Sequence, residues 1–281
     1  MRQRTNDLRI GAYGIRLSGL EEAAELLLEV PADAPAYELA AEIGHATADG
    51  EEVGERRARL RLRSGGEIAI DRDAGRMLFR VPHPVRQHEL VHPYLAPAAA
   101  VVGRWAGRES MHAGAYAVGG SVWGVVGERE AGKSSTLAWL AAREGVEILS
   151  DDMLILDGLS PLPGPRSVDL REDAAERLGV GEAIGVTGAR PRWRVQLPAA
   201  AAGRPLSGWV FLAWGDDVAL RPLPASERIP RLAAQRGLRL PPVRPDALLE
   251  LASLPAYELT RPRDWSSLPA AAERLVQHAA G

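Results

Sequence analysis

The sequence predicts a mixed α/β (α+β) fold: a larger core built on a mixed sheet, preceded by a small N-terminal α+β unit. Three observations predict it. Between Ser121 and Asp152 an apolar run enters a glycine-bounded loop, which opens an amphipathic segment. A hairpin pattern, alternating from Arg57 to Arg63 and turning at Gly65-Gly66, occupies Arg56 to Val81. Elsewhere helical and strand-like stretches are interspersed, without the regular alternation of a doubly wound parallel sheet.

Residues 8 to 17, LRIGAYGIRL, alternate loosely and predict a first strand, followed by a helical run from Ala23 to Leu28 that Pro31 and Pro35 end. Tyr37 to Ile43 fits a strand. Arg57, Arg59, Arg61 and Arg63 then alternate with Ala58, Leu60 and Leu62, Gly65-Gly66 supplies a turn, and Ile68 and Ile70 return. This places several guanidinium groups on one strand face. That face is either a solvated surface over a half-buried sheet or a docking surface for an acidic peptide. Pro82 and Pro84 mark a seam, which divides the chain into residues 1–88 and 89–281. His83, His88 and His92 cluster in sequence but fit no familiar ligand spacing, so loop packing is expected of them.

Leu95 to Trp105 is apolar with small residues and predicts a buried helix. MHAGAYAVGGSVWGVVG predicts two strands joined at Gly119-Gly120 that deliver the chain into the glycine-bounded loop. Leu137, Leu140 and Ala141 recur at helical spacing, Gly145 fits a C-cap, and Val146 to Leu149 predicts a buried strand. Beyond Asp152, GPRSVDLRED and RPRWRVQLP are strand-like, as are Trp209 to Ala213, Val218 to Leu223 and Ala256 to Leu259. Ser226 to Arg236, Pro245 to Leu251 and Leu268 to Ala279 have helical periodicity.

Composition narrows the function classes. The 281 residues carry a net charge of −3 and a pI near 6.1, so nothing pulls the whole chain toward nucleic acid or an anionic membrane. No apolar run approaches the roughly 20 residues of a membrane span, and the polar start MRQRTNDLRI does not fit a signal peptide. Without cysteine there is no disulfide, thiol nucleophile or zinc–thiolate site. Together with the glycine-bounded loop, this predicts a cytoplasmic protein.

Gly127-x4-Gly132-Lys133-Ser134 matches the Walker A spacing, in which loop amides cradle phosphates, the lysine reaches their β/γ end and the hydroxyl ligates magnesium. Gly127, Glu128, Arg129, Glu130, Ala131, Gly132, Lys133, Ser134 and Ser135 are therefore candidate ATP contacts. Lys133 is the only lysine in the sequence; the other fixed positive charges are all arginine. A point charge on a flexible stem is retained where a planar fork would not serve. The bland alternative is a glycine-rich turn with no ligand. Like charge beside a triphosphate repels, so Glu128 and Glu130 should face solvent while Arg129 leans inward.

Asp151 and Asp152 end the strand beside that loop. Carboxylates there have two natural tasks, holding Mg2+ and taking the proton from an attacking hydroxyl, although an aspartate pair also simply starts turns. Arg190, Arg192 and Arg194 share one face if the segment is a strand, with Trp193 on the other. They are either a clamp for phosphate or an acidic peptide end, or surface arginines; Arg166 and Asp169 are open in the same way.

The run from His112 through the loop to Asp151-Asp152 resembles the catalytic core of the HPr kinase/phosphorylase superfamily, whose nucleotide site is related to that of phosphoenolpyruvate carboxykinase. In that family a histidine precedes the first loop glycine by the same fifteen residues that separate His112 from Gly127. The resemblance implies that Lys133 binds the β/γ-phosphates, Ser134 and Asp152 the Mg2+, that Asp151 is the catalytic base and that His112 neighbours the transferred phosphate. It also makes self-association plausible. The sequence departs from the family at Arg129-Glu130, which replace Ser-Gly, and at PGPRSVDLRED, which replaces a glycine-rich segment. These departures put HPr as acceptor and the reverse phosphorolysis in doubt. The chain looks more like divergent members found near peptide-modification systems, including those that phosphorylate a serine of a lasso-peptide precursor. A hydroxyl kinase acting on a peptide or protein is the leading expectation. A nucleotide-gated peptide-binding module and a small-molecule hydroxyl kinase are its rivals.

Overall fold

A computed structural model of the chain describes residues 9–187 and 190–280. Contacts divide it into two compact units, residues 1–99 and 100–281. In the first, the stretch expected as one strand folds back on itself. β1 (Ile10–Ala12) and β2 (Ile15–Ser18) pair antiparallel with Ala12 opposite Ile15. Tyr13 (φ 58°) and Gly14 (φ 65°) between them are both left-handed, as a two-residue type I′ turn requires. The expected helix Ala23–Leu28 is instead a 3-10 segment, Glu21–Leu26; no side chain caps it, Ala23 leaves helical geometry, and Leu28 already belongs to β3 (Leu28–Glu29).

β4 (Ala36–Ile43), β5 (Glu52–Val53), β6 (Arg57–Arg61), β7 (Glu67–Asp71) and β8 (Arg76–Val81) complete an eight-stranded sheet in the order β3-β1-β2-β4-β8-β7-β6-β5. The expected hairpin forms, with Arg61 opposite Glu67. Its guanidinium face is met from within: Arg57 pairs with Asp71 at 3.0 Å, Arg59 with Glu52 at 3.7 Å and Arg61 with Asp49 at 2.9 Å. Those neighbours favour the solvated-face alternative over a docking surface. His88 pairs with Glu25 at 2.7 Å in a short turn, α1 (Gln87–Glu89), and His92 is buried while His83 is exposed.

α2 (Leu95–Trp105) is the expected apolar helix. The second unit is organised on a six-stranded mixed sheet. β9 (Glu109–Met111) leads into the hairpin of β10 (Ala113–Val118) and β11 (Ser121–Gly127), closed by Gly119-Gly120 with Val118 opposite Ser121. α3 (Lys133–Ala141) follows the loop, then β12 (Val146–Ser150). A short hairpin, β13 (Leu154–Asp157) and β14 (Ser160–Leu162), pairs with β9 as a separate three-stranded sheet that the sequence does not signal. β15 (Ser167–Leu170), α4 (Glu172–Leu178), β16 (Glu182–Thr187) and β17 (Arg190–Gln196) follow, the strands forming a third sheet. β18 (Leu206–Trp214), β19 (Ala219–Pro222), α5 (Ala225–Ala234), α6 (Ala247–Ser253), β20 (Ala256–Arg261) and α7 (Leu268–Ala280) end the chain.

The main sheet runs β12-β10-β11-β18-β20-β19. β11 pairs antiparallel with β10 and parallel with β18, so the chain direction changes around the strand that feeds the loop. Both faces are covered. Tyr116, Val125, Leu137, Leu140 and Leu275 share one core, and Ala113, Ala115, Val126, Trp209 and Leu251 the other. This is why β10 is buried at every position and reads as a continuous apolar run. A Cβ at Gly124 would sit 2.4 Å from the Trp209 ring, so that close strand crossing admits only glycine.

Candidate functional site

The loop between β11 and α3 is shaped by two left-handed residues. Glu130 (φ 69°) turns the chain, and Gly132 (φ 90°) is the N-cap of α3. No side chain caps this helix, and its first hydrogen bond runs from the Thr136 amide to the Gly132 carbonyl at 2.9 Å. The amides of Lys133, Ser134 and Ser135 are therefore unsatisfied within the helix and lie at its positive end, the arrangement that attracts an anion. Ala131 anchors the loop, its amide donating to Glu128 at 3.1 Å.

Lys133 is 6% exposed, and its ammonium donates to the Gly127 carbonyl at 2.7 Å. Burial pulls its pKa below the usual lysine value; the charges of Asp152 and Asp151 oppose that. Glu128, Arg129 and Glu130 are exposed. The two glutamates face outward as expected. Arg129 does not turn inward; Glu130 instead pairs with Arg171 of the segment before α4, at 2.6 Å. Arg171 was not singled out in the sequence, and no local spacing connects it to the loop.

Asp151 and Asp152 follow β12 in a tight turn. The Met153 amide donates to the Asp151 carbonyl at 2.7 Å, and Asp152 takes φ 63° at the centre. The two side chains are thereby separated. Asp151 is buried at 4% exposure, while Asp152 is half-buried. Burial, reinforced by the charge of Asp152, pushes the Asp151 carboxyl up to about 7, against the stabilising Ser134 hydroxyl, the Asp152 amide and the Lys133 charge. The Asp152 amide donates to Asp151 Oδ1 at 2.9 Å.

His112 lies between β9 and β10, half-buried, its amide donating to the Gln235 carbonyl at 2.6 Å. The register explains its place. Ala113 faces Val126 across β11, and Ala115 faces Ser150 across β12. Because β10 lies between those strands, its start is level with the end of each, where the loop leaves β11 and the aspartates leave β12. The structure thus brings His112, Lys133, Ser134, Asp151 and Asp152 to one end of one sheet.

It does not assemble the arginine clamp, one of the two alternatives for Arg190, Arg192 and Arg194. Arg194 is 7% exposed and makes a bidentate pair with Asp169, two bonds of 2.7 Å, directly across β15 and β17. Arg194 and Asp169 are thus committed to the interior, whereas Arg190 is exposed and Arg192 half-buried. Arg166 donates to the Leu197 carbonyl at 3.0 Å.

The donor set fits a nucleotide and magnesium. Among the described residues no group of three or more His, Cys, Asp or Glu side chains could hold a metal on its own. Mg2+ does not need one; it commonly keeps water and binds through one or two carboxylates together with phosphate oxygens. Ser134 and Asp152, both at this end of the sheet, are the hydroxyl and carboxylate that would hold it.

The sequence matches no protein-family model and no curated protein. Among solved structures, the chain is similar to an HPr(Ser) kinase/phosphatase from Coxiella burnetii, at 14% identity and a TM-score of 0.31, over 60% of this chain and 95% of that one. So distant a likeness leaves the chemistry to be argued from the site itself. No helix among the described residues is long and apolar enough to cross a membrane.

Proposed function

We propose that the chain is an ATP- and Mg2+-dependent kinase that phosphorylates a serine or similar hydroxyl on a peptide or protein. The observation that carries this is the meeting, at one end of one sheet, of a Walker-type loop with its buried lysine and a buried carboxylate, Asp151. A general base works best with a pKa near the operating pH, and burial raises that of Asp151. Bound ATP and Mg2+ supply the transferable phosphoryl group and neutralise its charge. Gly127 to Ser135 hold the phosphates, and Ser134 with Asp152 hold the metal. Asp151 accepts the proton of the incoming hydroxyl, Lys133 keeps its charge at the β/γ end, and His112 borders the acceptor side. Catalysis of this kind is mostly positioning and charge neutralisation. The peptide acceptor rests on the altered segment beyond Asp152, which sets the chain apart from kinases of HPr.

The test is transfer from γ-labelled ATP to serine-containing peptides. Lys133→Ala should reduce transfer by about a hundredfold or more, with a folded chain by circular dichroism, as expected for a phosphate-charge contact in a phosphoryl-transfer site. Transfer that persists in that variant would sink the assignment.

One observation favours a second reading. The Ser134 hydroxyl lies close enough to Asp151 to lower its pKa, and in NTPases a loop serine and an acidic partner share the metal. The two aspartates would then exchange roles; a nucleotide-gated peptide-binding module and a small-molecule kinase are separate alternatives. Tight ATP binding with no transfer to any peptide would favour the module.

A further inference from the structure

The loop's last glycine is packed against a cation that no motif reveals. Arg261 ends β20, directly beside Trp214 at the end of β18. Its guanidinium carbon lies 4.3 Å from the Trp214 ring centre, and its Nη2 lies 2.9 Å from where a Cβ on Gly132 would be. The side chain is 94% buried, being 6% exposed. Nη1 donates to the carbonyls of Pro262 at 3.3 Å and Asp264 at 3.2 Å and to Ser267 Oγ at 3.2 Å. Among the described residues no carboxylate pairs with this guanidinium, and its hydrogen bonds all leave from Nη1, none from Nη2.

A buried cation without an anion is costly, and proteins seldom retain one unless a ligand completes it. This one is rigidly held. The indole stacks on one side, three neutral acceptors fix Nη1, and the remaining fork faces the uncapped start of α3. Burial lowers its pKa, but a guanidinium keeps its charge in a protein.

We infer that Arg261 is a phosphate ligand of the nucleotide site: its Nη2 and the open amides of Lys133 to Ser135 take oxygens of one nucleotide's phosphate chain. Lys133 is then not the only cation there. A flexible ammonium enters from α3, and a pre-oriented fork, braced by Trp214, enters from β20. This inference rests on the nucleotide assignment above. Trp214 is a positioning residue and, being 37% exposed, an optical reporter.

Calorimetric titration of the full chain with ADP, inorganic tripolyphosphate and adenosine tests it. In Arg261→Gln, affinity for ADP and tripolyphosphate should fall by roughly ten- to a hundredfold, the range for losing a hydrogen bond to a charged group. Adenosine binding should not change, and Arg261→Lys should recover part of the loss. A merely structural role would weaken all three ligands alike. If Arg261→Gln does not fold, the wild-type minus Trp214→Phe emission difference replaces it, with ADP and tripolyphosphate expected to shift it and adenosine not. Unchanged ADP affinity in a folded Arg261→Gln, or no emission shift, overturns the inference while leaving nucleotide binding intact. Failure of the wild type to bind ADP or tripolyphosphate overturns both.

Discussion

Asp151→Asn should abolish phosphoryl transfer and at the same time make the protein without ligands more stable above neutral pH. Asn cannot take a proton from the acceptor, so transfer falls by at least the roughly hundredfold to ten-thousandfold typical of a lost general base. Stability moves the other way because the folded carboxyl sits at about 7, raised from its ordinary value of 3.8. Below pH about 4, Asp151 is protonated in both folded and unfolded chains, and its burial carries no charge penalty. Between about 4 and 7 the unfolded chain releases the proton while the folded one keeps it, so stability declines as pH rises. Above about 7 the penalty is complete. At about 1.4 kcal/mol per pKa unit it amounts to a few kcal/mol. The difference in melting temperature between Asp151→Asn and wild type should therefore be near zero at pH 4 and grow to several degrees at pH 8. A difference that stays flat with pH would mean that Asp151 is not held in this way.

The second large effect concerns the buried pair of Asp169 and Arg194. Asp169 and Arg194 have side chains only 3% and 7% exposed. Removing one partner strands the other charge in the interior, which costs about 3–5 kcal/mol. Arg194→Met alone and Asp169→Leu alone should each lower the urea midpoint sharply. The double variant should recover most of the loss, because well-packed apolar residues replace a buried pair at little cost. Val168 and Leu170 of the same strand pack in the core that holds Leu137 and Leu140 of α3. The single variants should thus also weaken nucleotide binding, without any contact between the pair and the ligand. Additive losses in the double variant would rule out the pairing.

How much of this was legible in the sequence depended on how local the cause was. The β10–β11 hairpin and α2 fall where Gly119-Gly120 and the Leu95–Trp105 pattern put them, because turn chemistry and helical periodicity are short-range signals. The β1–β2 turn escaped because Tyr13, a residue that rarely takes positive φ, fills a position where asparagine or glycine would have announced it. The helical Ala23–Leu28 pattern lost to the pairing of Leu28 with Gly11 in a sheet. The β13–β14 hairpin carries no strong alternation, since every residue of β13 but Asp157 is buried. At the site, the loop, His112 and the aspartates were visible by spacing along the chain. Arg171, Trp214 and Arg261 were not. They are brought in from later strands and turns by tertiary pairing alone, and in a chain whose fixed positive charge is otherwise all arginine no single arginine stands out.

The solitary lysine has a practical consequence. Its ammonium is held against the Gly127 carbonyl inside the loop, and burial lowers its pKa below the usual lysine value. An acyl-phosphate derivative of ATP, which delivers its acyl group to an amine beside the bound phosphates, has one side-chain amine in the whole sequence to acylate. Apart from the amino terminus, covalent labelling can fall only on the tryptic peptide containing Lys133. Competition by free ADP for that one mass shift then counts occupied loops directly, even in a mixture where the acceptor has not been identified.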